Sequence, residues 1–183
     1  FIVFETPASA VGAASVAANY PEMEELMTIS APWKVTLTPM VGKGKTMTMA
    51  KLHDLTLDPD YDVRHFSGTV GYKTSFKLPA VPAGKRIVLD LGNVREMAKV
   101  KVNGKDAGGV WTAPYTIDVT DLLKKGKNEI EVEVVTTWVN RLIADSQLSD
   151  DERETWLYYR THNKNTPLHS SGLLEDVKIL VGK

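Results

Sequence analysis

Met97-Ala98-Lys99-Val100-Lys101-Val102-Asn103-Gly104 and, further on, Glu129-Ile130-Glu131-Val132-Glu133-Val134 decide the fold. In both runs apolar and charged residues alternate without a slip, which sets every second side chain on a core and the others in water. Ala98, Val100 and Val102 point one way, Lys99 and Lys101 the other. Ile130, Val132 and Val134 are opposed in the same manner by Glu129, Glu131 and Glu133. Asn103-Gly104 predicts a two-residue hairpin, because both central positions of a type I′ turn need φ > 0. Between the two runs lie an aromatic loop from Trp111 to Tyr115 and an alternating Tyr115, Ile117 and Val119. Thr120-Asp121-Leu122-Leu123 predicts one helical turn with Thr120 as its N-cap, after which Gly126 reverses the chain.

The same pattern extends outward. Gly68 to Leu78 carries Val70, Tyr72, Thr74 and Phe76 on one face and is ended by Pro79 and Pro82. Ile87, Leu89 and Leu91 make a strand closed by Gly92-Asn93, and Val177, Ile179 and Val181 make a last one. Near the start, Trp33, Val35 and Leu37 share a face, and Thr46 to Leu52 predicts another strand with β-favouring threonines. Asp58-Pro59-Asp60 is a turn signal. Beyond Trp138 the chain is irregular, with Ser149 and Glu152 at capping-box spacing predicting a short helix. Regular strands, little helix and no β-α-β rhythm give an all-β fold, an antiparallel β-sandwich. Phe1-Ile2-Val3-Phe4 reads as the last strand of a preceding domain and residues 8–15 as a linker. Residues 1–30 are therefore expected to form an N-terminal segment, and 31–183 the sandwich.

Bulk composition narrows the function. A chain of 183 residues is one domain. Burying about 70% of its unfolded surface, it needs no staple. It has no cysteine, which excludes a disulfide scaffold and any thiolate metal site. The 22 Lys+Arg against 23 Asp+Glu give a net charge of -1 with no basic run, so nucleic acid is set aside as a partner. No apolar run approaches the roughly 20 residues that span a bilayer. Phe1 to Pro7 carries no basic leader of the kind that opens a signal peptide.

Several phrases coincide in order with a known family. The run Gly109-Val110-Trp111-Thr112-Ala113-Pro114-Tyr115-Thr116-Ile117-Asp118-Val119-Thr120-Asp121-Leu122-Leu123, with Gly126 and Asn128 following, resembles the sugar-binding β-sandwich of glycoside hydrolase family two. Ser171-Gly172-Leu173-Leu174-Glu175-Asp176-Val177 is similar to that domain's terminal Ser-Gly motif. Phe66-Ser67-Gly68-Thr69, Leu89-Asp90-Leu91-Gly92, Val102-Asn103-Gly104-Lys105 and Trp138-Val139-Asn140-Arg141-Leu142-Ile143 resemble more closely the C-terminal sandwich of large bacterial α-L-rhamnosidase-like glycoside hydrolases.

The resemblance covers Trp33 to the end. It implies a galactose-binding-like jelly roll, a carbohydrate-binding or substrate-positioning module of a larger, secreted, periplasmic or cell-surface bacterial enzyme. Its partners would be an oligo- or polysaccharide and the catalytic domain of the same parent chain, which carries the catalytic carboxylates. This chain by itself is then not catalytic. The alternative is a domain-docking sandwich that binds no sugar. Ala144 and Glu175-Asp176 depart from the family pattern, and Asn163 to His169 lacks the acidic residue that family-two enzymes can send to the active site.

The candidate sugar-binding residues are Trp111, Tyr115, Trp138, Asn140 and Arg141. An aromatic ring can stack on the apolar face of a pyranose while amides and cations meet its hydroxyls. Each also has a purely structural account. Tyr115 starts an alternating strand and would plug the sandwich end, an outcome weighed evenly with sugar contact for Trp111. Arg141 and Asp145, four apart, would pair on a helical turn. Histidines 53, 65, 162 and 169 show no metal-ligand spacing. Asp58, Asp60 and Asp62 alternate like a calcium loop but lack the Gly and terminal Glu of an EF-hand, so a structural calcium is kept only as a secondary idea. Asp150, Asp151, Glu152 and Glu154 crowd a solvated stretch, and the serines beside His65 and His169 form no nucleophile elbow.

Overall fold

Residues 22–158 and 161–183 are described by the computed structural model. The strand expected at Phe1 to Phe4 and the linker at 8–15 lie outside the described residues. The strands are β1 (Met23–Thr28), β2 (Trp33–Pro39), β3 (Lys45–Met49) and β4 (Gly68–Leu78). They continue as β5 (Ile87–Asp90), β6 (Val94–Arg95), β7 (Met97–Val102) and β8 (Lys105–Val110). The remaining four are β9 (Thr116–Asp118), β10 (Gly126–Val135), β11 (Gly172–Leu173) and β12 (Lys178–Gly182). Two short helices, α1 (Tyr61–Arg64) and α2 (Val139–Asp145), sit in connections.

One layer is a six-stranded sheet ordered β3-β2-β4-β10-β7-β8; the other is four-stranded, ordered β1-β12-β5-β9. A small β11-β6 pair closes one side. All pairings are antiparallel, so the all-β sandwich expected from alternation is what forms.

Register turns the alternation into a core. In the six-stranded sheet Val35 lies opposite Tyr72, Tyr72 opposite Val132 and Val132 opposite Val100. The next inward row runs Leu37, Val70, Val134, Ala98. From the other layer Ile87, Leu89, Ile117 and Ile179 meet them, all buried. Each such aliphatic side chain contributes about 1.5–3 kcal/mol by leaving water, enough in sum to fix the register. On the outer face Lys73 pairs with Glu129 at 2.8 Å and Glu131 at 2.9 Å.

The motifs at the sandwich end are structural. Asn103 and Gly104 take φ of 52° and 77°, as a type I′ turn requires. Asn103 donates to Leu122 O and Asn128 Oδ1, both at 2.8 Å, and accepts from Glu129 N. Fully buried Asn128 in turn donates to Lys124 O at 2.7 Å and accepts from Lys124 N at 3.0 Å. One amide pair therefore knots the hairpin to the reversal before β10.

Four details differ from the sequence reading. The sandwich begins before residue 31, because β1 pairs with β12 along the sheet edge. Its Glu24-Glu25-Leu26 run does not alternate, and a bulge between Glu25 and Met27 breaks the period. Thr120 caps no helix. Its hydroxyl donates to Asp118 at 2.6 Å and accepts from Ile87 N at 2.9 Å, and the chain makes a single turn. Ser149 likewise opens only a turn, although Glu152 does reach back to its N–H at 3.2 Å. The strand expected from Thr46 to Leu52 ends at Met49, while Leu52 is still buried.

Candidate functional site

At one end of the six-stranded sheet four segments surround a cleft of about 460 Å³. The β2–β3 hairpin tip supplies Val41 to Lys45; α1 and its exit supply Asp62, His65, Phe66 and Ser67; α2 and its approach supply Trp138 and Arg141. Glu154 comes from the irregular segment after α2. The hairpin tip touches that segment, since a Cβ on Gly42 would lie 3.0 Å from Glu154 Oε1.

Lys45, His65 and Arg141 are each oriented by a partner behind them. Asp60 caps α1 by accepting from Asp62 N at 3.0 Å, and its other oxygen meets Lys45 of β3. This pins α1 to the hairpin and sets His65 at its C-terminus. His65 Nδ1 lies 2.9 Å from Tyr61 O, and the two rings are tilted by 38° with centroids 4.1 Å apart. A carbonyl only accepts, so Nδ1 carries the proton and Nε2 is the nitrogen left to the cleft.

Arg141 is held more firmly. Its Nε and Nη2 reach Asp145 Oδ1 at 2.9 and 2.5 Å, while Nη1 faces Glu154 at 3.3 Å. Asp145, 2% exposed, also accepts from Thr155 N at 2.8 Å and Thr155 Oγ1 at 2.5 Å. Burial alone would raise its pKa. The hydrogen bonds and positive charge of Arg141, with those of Thr155, outweigh burial and hold the carboxyl below the usual carboxylate range. The cleft thus presents one indole, one imidazole, one guanidinium, the carboxylates of Asp62 and Glu154 and the ammonium groups of Lys43 and Lys45. That set can stack a ring and exchange hydrogen bonds with hydroxyls.

The five sequence candidates separate. Trp138, 39% exposed, and Arg141 meet in the cleft. Asn140 is 3% exposed and is a brace: it donates to His169 O at 2.7 Å and accepts from His169 N at 2.8 Å. Tyr115 is half-buried against the core and edges a separate concavity with Asn93, Arg95, Pro114 and Glu175. Trp111 is 73% exposed and lines neither hollow.

His65, Asp62, Lys45 and Glu154 were missed as cleft residues. Only the Gly42 and Gly44 flanks of the hairpin tip hint at them in sequence, because the segments meet through tertiary packing. The Asp58, Asp60 and Asp62 run is differently engaged. Asp58 accepts from Asp60 N at 2.9 Å and faces His53 at 3.1 Å, and Asp60 caps α1. Among the described residues no three His, Asp or Glu side chains are grouped to hold a metal.

The Ser-Gly motif sits elsewhere, under the core. Gly172 has φ of +93°, and a Cβ there would fall 2.3 Å from Tyr72 Oη. Tyr72 Oη accepts from Leu173 N at 3.2 Å, and Asp54 accepts from Ser171 N at 3.0 Å. Burial works to raise the Asp54 carboxyl, but the N–H groups of Ser171 and Thr56 prevail and hold it low.

The model of the glycosyl hydrolase 2 galactose-binding domain-like family matches residues 46–170. The chain belongs to this family. A putative β-glucuronidase of Formosa agariphila is 35% identical over an alignment of 144 residues that covers 65% of this galactose-binding-like chain. Among solved structures a rhamnosidase from Novosphingobium sp. PP1Y superposes with a TM-score of 0.82 at 33% identity over 91% of the chain. A β-glucuronidase from Ruminococcus gnavus superposes with a TM-score of 0.57 at 17% identity over 90% of the chain, a likeness of fold alone. The domain spans 12% of the length of the Formosa protein, 16% of the rhamnosidase chain and 30% of the Ruminococcus chain. No helix among the described residues is long and apolar enough to cross a membrane.

Proposed function

We propose that this domain is a non-catalytic, carbohydrate-binding or substrate-positioning module of a larger glycoside hydrolase, with the Trp138–Arg141 cleft as its sugar site. The observation that carries this is the cleft itself: an accessible indole beside a guanidinium and a carboxylate whose orientations are fixed by Asp145 and each other. Trp138 offers a ring face to a pyranose, Glu154 and His65 Nε2 accept hydroxyl protons, and Arg141 donates to hydroxyl oxygens. Single-site affinity would be modest. Tethered to a catalytic domain, it would raise the local concentration of enzyme on its glycan.

Calorimetric titration with a panel of plant and host oligosaccharides, including glucuronides and rhamnosides, tests this. Trp138→Ala should weaken the best ligand about tenfold with the melting temperature unchanged. No heat from any sugar at millimolar concentration would leave the domain-docking alternative in its place.

A further inference from the structure

The segment leaving the cleft has an alternation of its own. Arg153 and Thr155 are tied to α2 and its exit, whereas Leu157 is 45% exposed and only borders it. Arg153 Nε donates to Asp145 O at 3.0 Å and Nη2 to Leu148 O at 2.8 Å, Thr155 binds the Asp145 carboxylate, and Leu157 shares a recess with Leu142. Glu154, Trp156 and Tyr158 face outward, the two rings being 81% and 77% exposed. The hydrogen bonds of Arg153 and Thr155 fix the backbone from which Glu154 and Trp156 project. The Trp156 and Tyr158 ring centroids are 6.5 Å apart, and Glu154 is held at the cleft by Arg141.

We propose that Glu154, Trp156 and Tyr158 form a second glycan-contact strip that continues the cleft outward. This inference rests on the carbohydrate reading above and adds a ligand class to it. A carboxylate two residues from an exposed ring pair suits a chain of hydroxyl-bearing rings better than a dry protein contact, whose centre is depleted of charge. The rings are inclined at 62°, so no single flat surface lies against both. The strip therefore takes an individual, twisted, soluble glycan chain and not the planar face of a crystalline polysaccharide. Pinning of Arg153 and Thr155 lowers the ordering entropy lost on binding.

The test is affinity electrophoresis of the 183-residue chain through gels containing soluble xylan, mixed-linkage glucan or rhamnogalacturonan, beside depletion by microcrystalline cellulose. Trp156→Ala, Tyr158→Ala and Trp138→Ala are compared, with thermal melting and sedimentation velocity on each. Retardation by at least one soluble glycan is expected, weakened about fivefold by Trp156→Ala and by Tyr158→Ala, with unchanged melting and no depletion by cellulose. If Trp138→Ala weakens retardation and the two strip variants do not, the strip is refuted and the cleft stands. A wild-type chain retarded by nothing removes both. Depletion by cellulose overturns the twisted-chain class, and a dimer that the strip variants convert to monomer reassigns the rings to self-association.

Discussion

Gly172 shows how much a single position can dictate. Its backbone lies where L side chains are strained, and the space a methyl would need is held by Tyr72 Oη and Leu55. Gly172→Ala should therefore lower stability by about 3 kcal/mol, read as a drop in urea midpoint with little change in slope. The same scale explains which candidates were legible. Sequence marks Trp138 and Arg141 as chemistry-bearing, and they do share a cleft. It cannot separate them from Asn140 one residue away, because only packing shows that the amide of Asn140 is spent on the His169 backbone.

At the scale of elements, strands with strict period two were readable to within a residue: Gly68–Leu78 and Met97–Val102 form as their patterns require. Elements whose making depends on distant partners were not. β1 is an edge strand with a bulge, and Thr120 forsakes its own turn for Ile87 across the sheet. α2 and the segment behind it are held together by Asp145, which gives them a pH dependence of known sign. A carboxyl depressed in the folded state stabilises above its unfolded pKa of about 3.9, and that contribution is lost as pH falls through the lower folded value. Asp145→Asn should lower stability at pH 7 by about 2–3 kcal/mol. Urea unfolding at pH 7 and pH 3 should then show a smaller acid loss in the variant than in the wild type. An equal loss in both would place the acid sensitivity elsewhere.

For the whole molecule, two apposed antiparallel layers leave the sheet ends as the places where loops of different origin converge. The hairpin tip, α1, and α2 with its Glu154 segment come from three separate stretches of sequence, and it is the β2-β4-β10 register that brings them to one end. This is why the fold was clear from alternation while three of the cleft's four walls were not. Sugar is predicted to meet this cleft and not the Trp111–Tyr115 loop, which leaves β8 beside Ala98 at the same end of the sheet. The most direct measurement is a ¹H–¹⁵N NMR titration of the labelled domain with the oligosaccharide that binds best by calorimetry. Shifts confined to the Trp138 indole, the Arg141 side chain, His65 and the Glu154 segment are the predicted result. Shifts centred on Trp111 and Tyr115, or none at saturating sugar, would contradict it.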